Sequence, residues 1–233
     1  MSEARVFHDN VFPDNFANGE AVQFEKQRYL VLKGLLEDPL LGTAYAYAIK
    51  KSLSGAMAPG DSQVPGTPSC YGDNLMEMLL ELFRPRMETL TGLRLHPTYS
   101  YFRVYKHGDV LEAHKDRPSC EISLTLTLGF EASRPWPIFL ELDDQSTPVE
   151  LLPGDAIAYR GTELKHWRER FEGVRHAGVF LHYVDRDGPY ADWKYDKRKG
   201  LRFSVRRVLN FARGNIRRVW ASLKIWVHII LLM

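Results

Sequence analysis

The 233-residue sequence predicts an α+β chain with a β-sandwich or barrel at its centre. Three observations carry this. From His96 onward the hydrophobic period drops to two. Six short runs (PTYSYFRVY, EISLTLTLG, WPIFLEL, PVELL, DAIAYR and HAGVFLHYV) then follow one another between Gly, Pro and Asp. The composition, 45% hydrophobic with 12% aromatic residues, is enough to fill such a core.

Taken in order, the first twenty-odd residues are polar and irregular, and RYLVLKGLLE (28–37) reads as a strand. Asp38-Pro39 has the form of an N-cap followed by proline at the first helical position, opening a helix to about Lys51. Residues 54–72 are crowded with Gly and Pro and read as loop. Asp73 is placed to cap a second helix, NLMEMLLELFRPRMETL, which Pro85 should kink. There is no internal repeat, and the helical period returns after Asp196. The expected organisation is a strand and support helices over 1–95, belonging to the same domain as a β core over 96–195, then a tail over 196–233.

Charge is unevenly spread. Ten Lys/Arg and no acidic residue follow Asp196, which leaves 21 basic against 29 acidic residues up to and including it. In the tail, LRFSVRRVLNFARGNIRRVWASLKIWVHIILLM (201–233), Val205, Val208, Ala212, Ile216 and Val219 share one helical stripe, with Arg202, Arg206, Arg213 and Arg217 opposite. IWVHIILLM is too short to span a bilayer. The reading is a cationic amphipathic helix lying on an anionic membrane surface, each basic residue contributing about 1 kcal/mol there. Docking on the chain's own acidic body is the competing reading, and nucleic acid is the weakest of the three. MSEARVFHDN has no apolar run, and Cys70 and Cys120 lack zinc-type spacing. A cytoplasmic protein with reduced thiols, peripheral at the inner face of a membrane, is expected.

The stretch AHKDRPSCEISLTLTLG (113–129) carries the chemistry. In extended chain His114 and Asp116 project to one side and can converge on one ion. The best third ligand is His166, within LLPGDAIAYRGTELKHW. Two imidazoles and one carboxylate leave coordination positions open, which suits ferrous iron better than a closed structural zinc site. The strand after the triplet alternates Leu124, Leu126 and Leu128 with Ser123, Thr125 and Thr127. Its polar row either meets solvent or lines a cavity.

YKHGDVLEAHKD (105–116), EISLTLTLG, LLPGDAIAYRGTELKHW and VFLHYVD together resemble the 2-oxoglutarate/Fe(II) dioxygenases, most closely the prolyl-4-hydroxylase-like branch, over residues 96–186. The resemblance implies a double-stranded β-helix (jelly roll, cupin-like) supported by N-terminal helices. It implies iron on His114, Asp116 and His166, with 2-oxoglutarate as co-substrate and ascorbate as accessory reductant. The Ser123, Thr125, Thr127 row would face this interior, and Tyr105 matches a tyrosine at the co-substrate, with Tyr101 and Arg103 on its face. The distal carboxylate needs a cation, supplied in the family nine or ten positions after the second histidine. Arg175 ranks first for that role, then His176 and Arg103, because a guanidinium stays charged and forks onto a carboxylate.

The implied reaction hydroxylates an unactivated C–H with release of succinate and CO2. Arg117, Arg160 and Trp167 flank the triad as candidates for gripping a small-molecule, peptide or lipid-linked substrate. The alternative is a non-catalytic cupin-like metal-binding protein, docked to membrane or a partner by its basic tail.

Overall fold

A computed structural model describes residues 17–202. The expected amphipathic helix over 201–233 falls almost wholly outside them. The elements run α1 (Ala17–Gln27), β1 (Tyr29–Leu32), α2 (Leu40–Leu53), β2 (Ala58–Gly60), β3 (Pro65–Tyr71) and α3 (Asn74–Thr91), followed by β4 (Leu95–Lys106) and β5 (Leu111–His114). Then come β6 (Ile122–Glu131), β7 (Ile138–Leu142), β8 (Gln145–Val149), β9 (Ala156–Arg160), β10 (Lys165–Arg168) and β11 (Arg175–Asp185), closed by a 3-10 segment, Ala191–Lys197.

Two antiparallel sheets result, seven strands in the order β1-β9-β6-β11-β4-β3-β2 and four in the order β5-β10-β7-β8. From β4 onward the chain crosses from one sheet to the other at almost every strand. This puts β9-β6-β11-β4 opposite β5-β10-β7-β8, the strand order of a jelly roll. Adjacent strands in sequence therefore aim their inward side chains into one shared space.

The alternation in β6 now has a physical meaning. Leu124, Leu126 and Leu128 are fully buried in the main apolar core with Met76, Leu79 and Leu80 of α3. Ser123, Thr125 and Thr127 are just as buried, on the other face. The polar row meets the sandwich interior rather than solvent, as an interior that holds polar ligands requires.

α3 is fixed at both ends by its sequence. The Asp73 carboxylate accepts from the Leu75 and Met76 N–H groups at 2.9 and 3.2 Å, and Gly92, at φ +71°, ends the helix with its N–H on Glu88 O. The helix continues through Pro85 as one element. Asp73 also binds Lys51 Nζ and accepts from Tyr47 Oη at 2.7 Å, tying α2 to α3. Burial pushes the Asp73 carboxyl up, but the Lys51, Tyr47 and Met76 donors together outweigh it and hold it below the ordinary carboxylate range. Its stabilising contribution is thus present above pH ~4 and lost as pH falls through the lowered value. Asp73→Ala removes the cap and strands Lys51, and urea unfolding should show a loss of about 2–4 kcal/mol at neutral pH.

Three sequence expectations need correction. Residues 54–72 are not loop throughout: they hold the β2–β3 hairpin, and β3 extends the large sheet by pairing Ser69, Cys70 and Tyr71 with Arg103, Phe102 and Tyr101. The glycines that read as breakers make the hairpin possible. Gly60 stands at φ +103°, where an added Cβ would lie 2.4 Å from Val64 O, and Gly66 stands at φ +74°. The strand expected at PVELL sits earlier, at Gln145–Val149, as an exposed edge pairing with β7. The helix start at Asp38-Pro39 is shifted by one residue, yet Asp38 Oδ1 still accepts from Gly42 N at 2.9 Å.

Candidate metal centre

β5 and β10 are neighbours in register, with His166 opposite His114, so the two imidazoles lie side by side with centroids 4.3 Å apart. Asp116 follows in the turn beyond β5. Its N–H donates to Gly161 O at 2.9 Å and its Oδ2 accepts from Ser123 Oγ at 3.0 Å. This leaves Oδ1 at 3.8 Å from both His114 Nε2 and His166 Nε2. All three donor atoms lie within 4.8 Å of one another. They are too far apart to hydrogen-bond, and a small inward movement of the side chains would bring all three onto a single cation.

The other nitrogen of each ring settles its tautomer. His114 Nδ1 faces Glu112 O at 2.7 Å, and His166 Nδ1 faces Leu164 O at 3.0 Å. A carbonyl only accepts, so each Nδ1 carries the proton and each Nε2 lone pair points into the gap. Burial lowers the His166 pKa against the opposing pull of Asp116, keeping a neutral ring available as a ligand. Two imidazoles and one carboxylate converging this way form the facial donor set that suits ferrous iron.

Gly161 is the backbone that presses Asp116 into place. A Cβ there would meet Asp116 Oδ2 at 2.3 Å and Cys120 O at 2.4 Å. Gly161→Ala is therefore expected to turn the carboxylate and weaken Mn(II) binding by about 10- to 100-fold, the range for a lost ligand support. Calorimetric titration beside an unfolding curve checks this.

The triad opens on a cavity of about 350 Å³ whose wall includes Tyr101, Arg103, Tyr105, Arg117, Tyr159 and Phe180. Beyond it, at the inner end, polar groups gather without partners. Arg168, two residues along β10 from His166 and on the same face, is 1% exposed. Its guanidinium lies over the Trp136 ring and donates once, to Trp136 O, while Nε has no partner. Neither ring nitrogen of His176 is paired, nor is Tyr105 Oη or Thr127 Oγ1. The His176 ring is packed among Tyr105, Trp136, Phe130 and Phe171, and burial first, the Arg168 charge second, push its pKa well below the usual histidine value. His176 is a neutral ring beside an arginine that has no carboxylate partner among the described residues. An uncompensated buried guanidinium costs several kcal/mol, so this end of the barrel fits an anion. The donor set for iron and the unpaired donors for a carboxylate both fit the expected pair of iron and 2-oxoglutarate.

No family model and no curated protein matches the chain. Solved structures do. A Pseudomonas putida prolyl-4-hydroxylase is 14% identical, covering 73% of this chain and 99% of its own, with a TM-score of 0.61. A Trichoplax adhaerens prolyl hydroxylase, in complex with a hypoxia inducible factor peptide fragment, is 12% identical over 74% and 90% with a TM-score of 0.63. Streptomyces hygroscopicus HygX, with nickel and 2-oxoglutarate bound, is 11% identical over 72% and 87% with a TM-score of 0.58.

The chain has the prolyl-4-hydroxylase fold.

Within the prolyl-4-hydroxylase fold the expected site residues divide. His114, Asp116 and His166 come together, and Tyr105, Thr125, Thr127, Arg103 and His176 are all buried. Thr125 Oγ1 lies 3.4 Å from Tyr159 Oη, which lies 3.4 Å from His166 Nε2. Arg175, ranked first for the distal carboxylate, faces outward and pairs with Glu131 at 3.1 Å. Strand parity decides this: with His176 inside, its neighbour must be outside. Arg117 lines the mouth, pairing with Asp196 at 2.9 Å. Arg160 instead pairs with Glu25 and Glu163, and Trp167 stacks on Phe139, both away from the cavity. Arg168 and Tyr159 were missed. For Arg168 the signal was present in the spacing His166-x-Arg168, the same two-residue parity that joins His114 to Asp116.

Proposed function

We propose that the chain is a 2-oxoglutarate- and Fe(II)-dependent oxygenase that hydroxylates an unactivated C–H, with O2 and 2-oxoglutarate consumed and succinate and CO2 released. The observation that carries this is a two-histidine, one-carboxylate donor set opening on a cavity, with a buried guanidinium that has no counter-charge two residues along β10 from the second histidine. His114, Asp116 and His166 would hold the iron. With 2-oxoglutarate it supplies the oxidising power for the C–H bond.

The chain's own residues do the positioning. Arg168 takes the distal carboxylate of 2-oxoglutarate, with the free Tyr105 and Thr127 hydroxyls as further donors. Neutral His176 fills the space beside it. Ser123 and Gly161 hold the Asp116 carboxylate in its orientation. Tyr159 Oη stands against the His166 ring as a buried donor, its pKa raised far above neutrality by burial. Arg117 is left at the mouth for substrate.

The likeness to prolyl hydroxylases and to HygX supports a peptide or small-molecule substrate. No helix among the described residues is long and apolar enough to cross a membrane. For residues 201–233 we propose contact with an anionic membrane surface on the cytoplasmic side, supported by their charge pattern alone.

The deciding assay adds Fe(II), ascorbate and labelled 2-oxoglutarate to anaerobically purified protein and then admits air. Succinate and CO2 should appear in equal amounts, slowly without substrate. Absence of both turnover and 2-oxoglutarate binding would refute the proposal.

A further inference from the structure

Unlike Arg168, a second buried arginine lines the cavity itself, and it is occupied. Arg103 is 2% exposed, lies against the rings of Tyr101 and Tyr105, and has an unpaired Nε. Its Nη2 donates to Asp61 Oδ2 at 2.5 Å, and Tyr101 Oη donates to the same oxygen at 2.7 Å. Asp61 belongs to neither neighbouring strand. It sits in the turn between β2 and β3, its side chain still 34% exposed, with Ser62 and Gln63 exposed beside it. A surface turn thus places a carboxylate inside the metal cavity, on an arginine and a tyrosine of β4.

We propose that Arg103 and Tyr101 form the substrate-recognition subsite, that the substrate carries a carboxylate, and that Asp61 is the internal group this carboxylate displaces. The inference rests on the functional reading above, in which Arg168 rather than Arg103 holds 2-oxoglutarate.

The charge arrangement separates the two arginines. Arg168 does not line the cavity wall and faces no acid, so its anion must stay for the enzyme to be in its working form. Arg103 lines the wall and already has an anion, supplied from the mouth side on a turn with solvent to return to. Exchange of one carboxylate for another keeps the guanidinium paired throughout, so no uncompensated buried charge arises on the way. The turn carries its carboxylate as one unit, because Asp61 Oδ1 accepts from Gln63 N at 3.0 Å and from Val64 N at 3.1 Å. Gly60, at φ +103°, lies before it and Val64, 3% exposed, after it, so displacement of Asp61 has to move residues 61–63 together. Lys115, exposed beside the triad, lines the same cavity and adds a positive charge on the approach of an incoming anion. A neutral substrate would leave Asp61 in place, with Asp61, Ser62 and Gln63 narrowing the opening.

The test uses full-length protein loaded with Ni(II) and saturated with 2-oxoglutarate, so that binding is read without turnover. Ligand-observed NMR compares phenylacetate with phenylacetamide, and a short peptide with a free C-terminus against its amide. At least one acid should bind about tenfold or more tighter than its amide, and the small-molecule and peptide pairs separate the two sources of carboxylate. Asp61→Asn, which removes the internal competitor, should tighten the acids by about tenfold. Arg103→Gln should reduce them to the level of the amides, with Arg103→Lys between. Both arginine variants should keep 2-oxoglutarate affinity within about threefold of the parent.

Equal binding of acids and amides overturns the inference. So does a loss of 2-oxoglutarate in Arg103→Gln, which would make Arg103 the co-substrate anchor while leaving the oxygenase reading intact. Failure of the parent protein to bind 2-oxoglutarate at all removes both together.

Discussion

Asp116→Ala should abolish tight metal binding and, with it, succinate formation. Asp116 is the only anionic donor of the three, and its Oδ1 stands equidistant, at 3.8 Å, from both imidazole nitrogens. Without it, two neutral rings face a gap with no charge to balance a divalent cation. Loss of a group that merely supports a ligand weakens metal binding by about 10- to 100-fold, so loss of the ligand itself should exceed that range. Titration of Mn(II) into parent and variant measures it directly.

The fold should survive the change. Asp116 is a turn residue whose backbone N–H to Gly161 O does not depend on the side chain. Thermal unfolding of the metal-free variant should therefore stay within about 1 kcal/mol of the metal-free parent, Ser123 Oγ keeping Cys120 O as an acceptor. A protein that only docks to a partner through its basic tail would be indifferent to the substitution. Unchanged metal affinity in Asp116→Ala would remove the basis of the oxygenase proposal.

What could be read from the sequence followed from how local each signal is. His114 and Asp116 share a side because two-residue parity is a property of any extended chain. The polar row of β6 announced an interior because Leu124, Leu126 and Leu128 already claimed the other face. Asp73 and Gly92 mark the ends of α3 through cap chemistry that needs no tertiary partner.

Where the answer lay in pairing between distant segments, the sequence was silent or misleading. The β2–β3 hairpin is held by β4, some thirty residues on, so its Gly and Pro content was all that showed. Arg175 and His176 were both admissible by distance from His166, and only the register of β11 against β4, with His176 opposite Tyr105, decides which points inward. Arg168 was hidden by expectation rather than by physics: its parity with His166 was visible, but the cation was sought one strand later.

That relocation gives the other large expected effect. Arg168→Met should weaken 2-oxoglutarate binding by about 30- to 4,000-fold, the equivalent of the 2–5 kcal/mol that truncating one partner of a buried charge pair costs. Stability should move the other way. In the ligand-free protein the guanidinium is 1% exposed, faces no carboxylate in its pocket, and has its pKa lowered by burial. Replacing such a charge with an apolar side chain of similar length is neutral or stabilising by about 1–4 kcal/mol, less the one hydrogen bond lost to Trp136 O. A residue that served only the fold would lose stability and co-substrate together. A residue kept for an anion loses affinity while the empty protein gains or holds stability. Arg175→Met is the control: its half-exposed pair with Glu131 contributes about 0–1 kcal/mol, and 2-oxoglutarate binding should not change. Calorimetric titration of 2-oxoglutarate into the Ni(II)-loaded proteins, beside urea unfolding of the metal-free ones, measures both quantities. If Arg175→Met rather than Arg168→Met loses the co-substrate, the anchor lies on β11 and the barrel's inner end has to be reassigned.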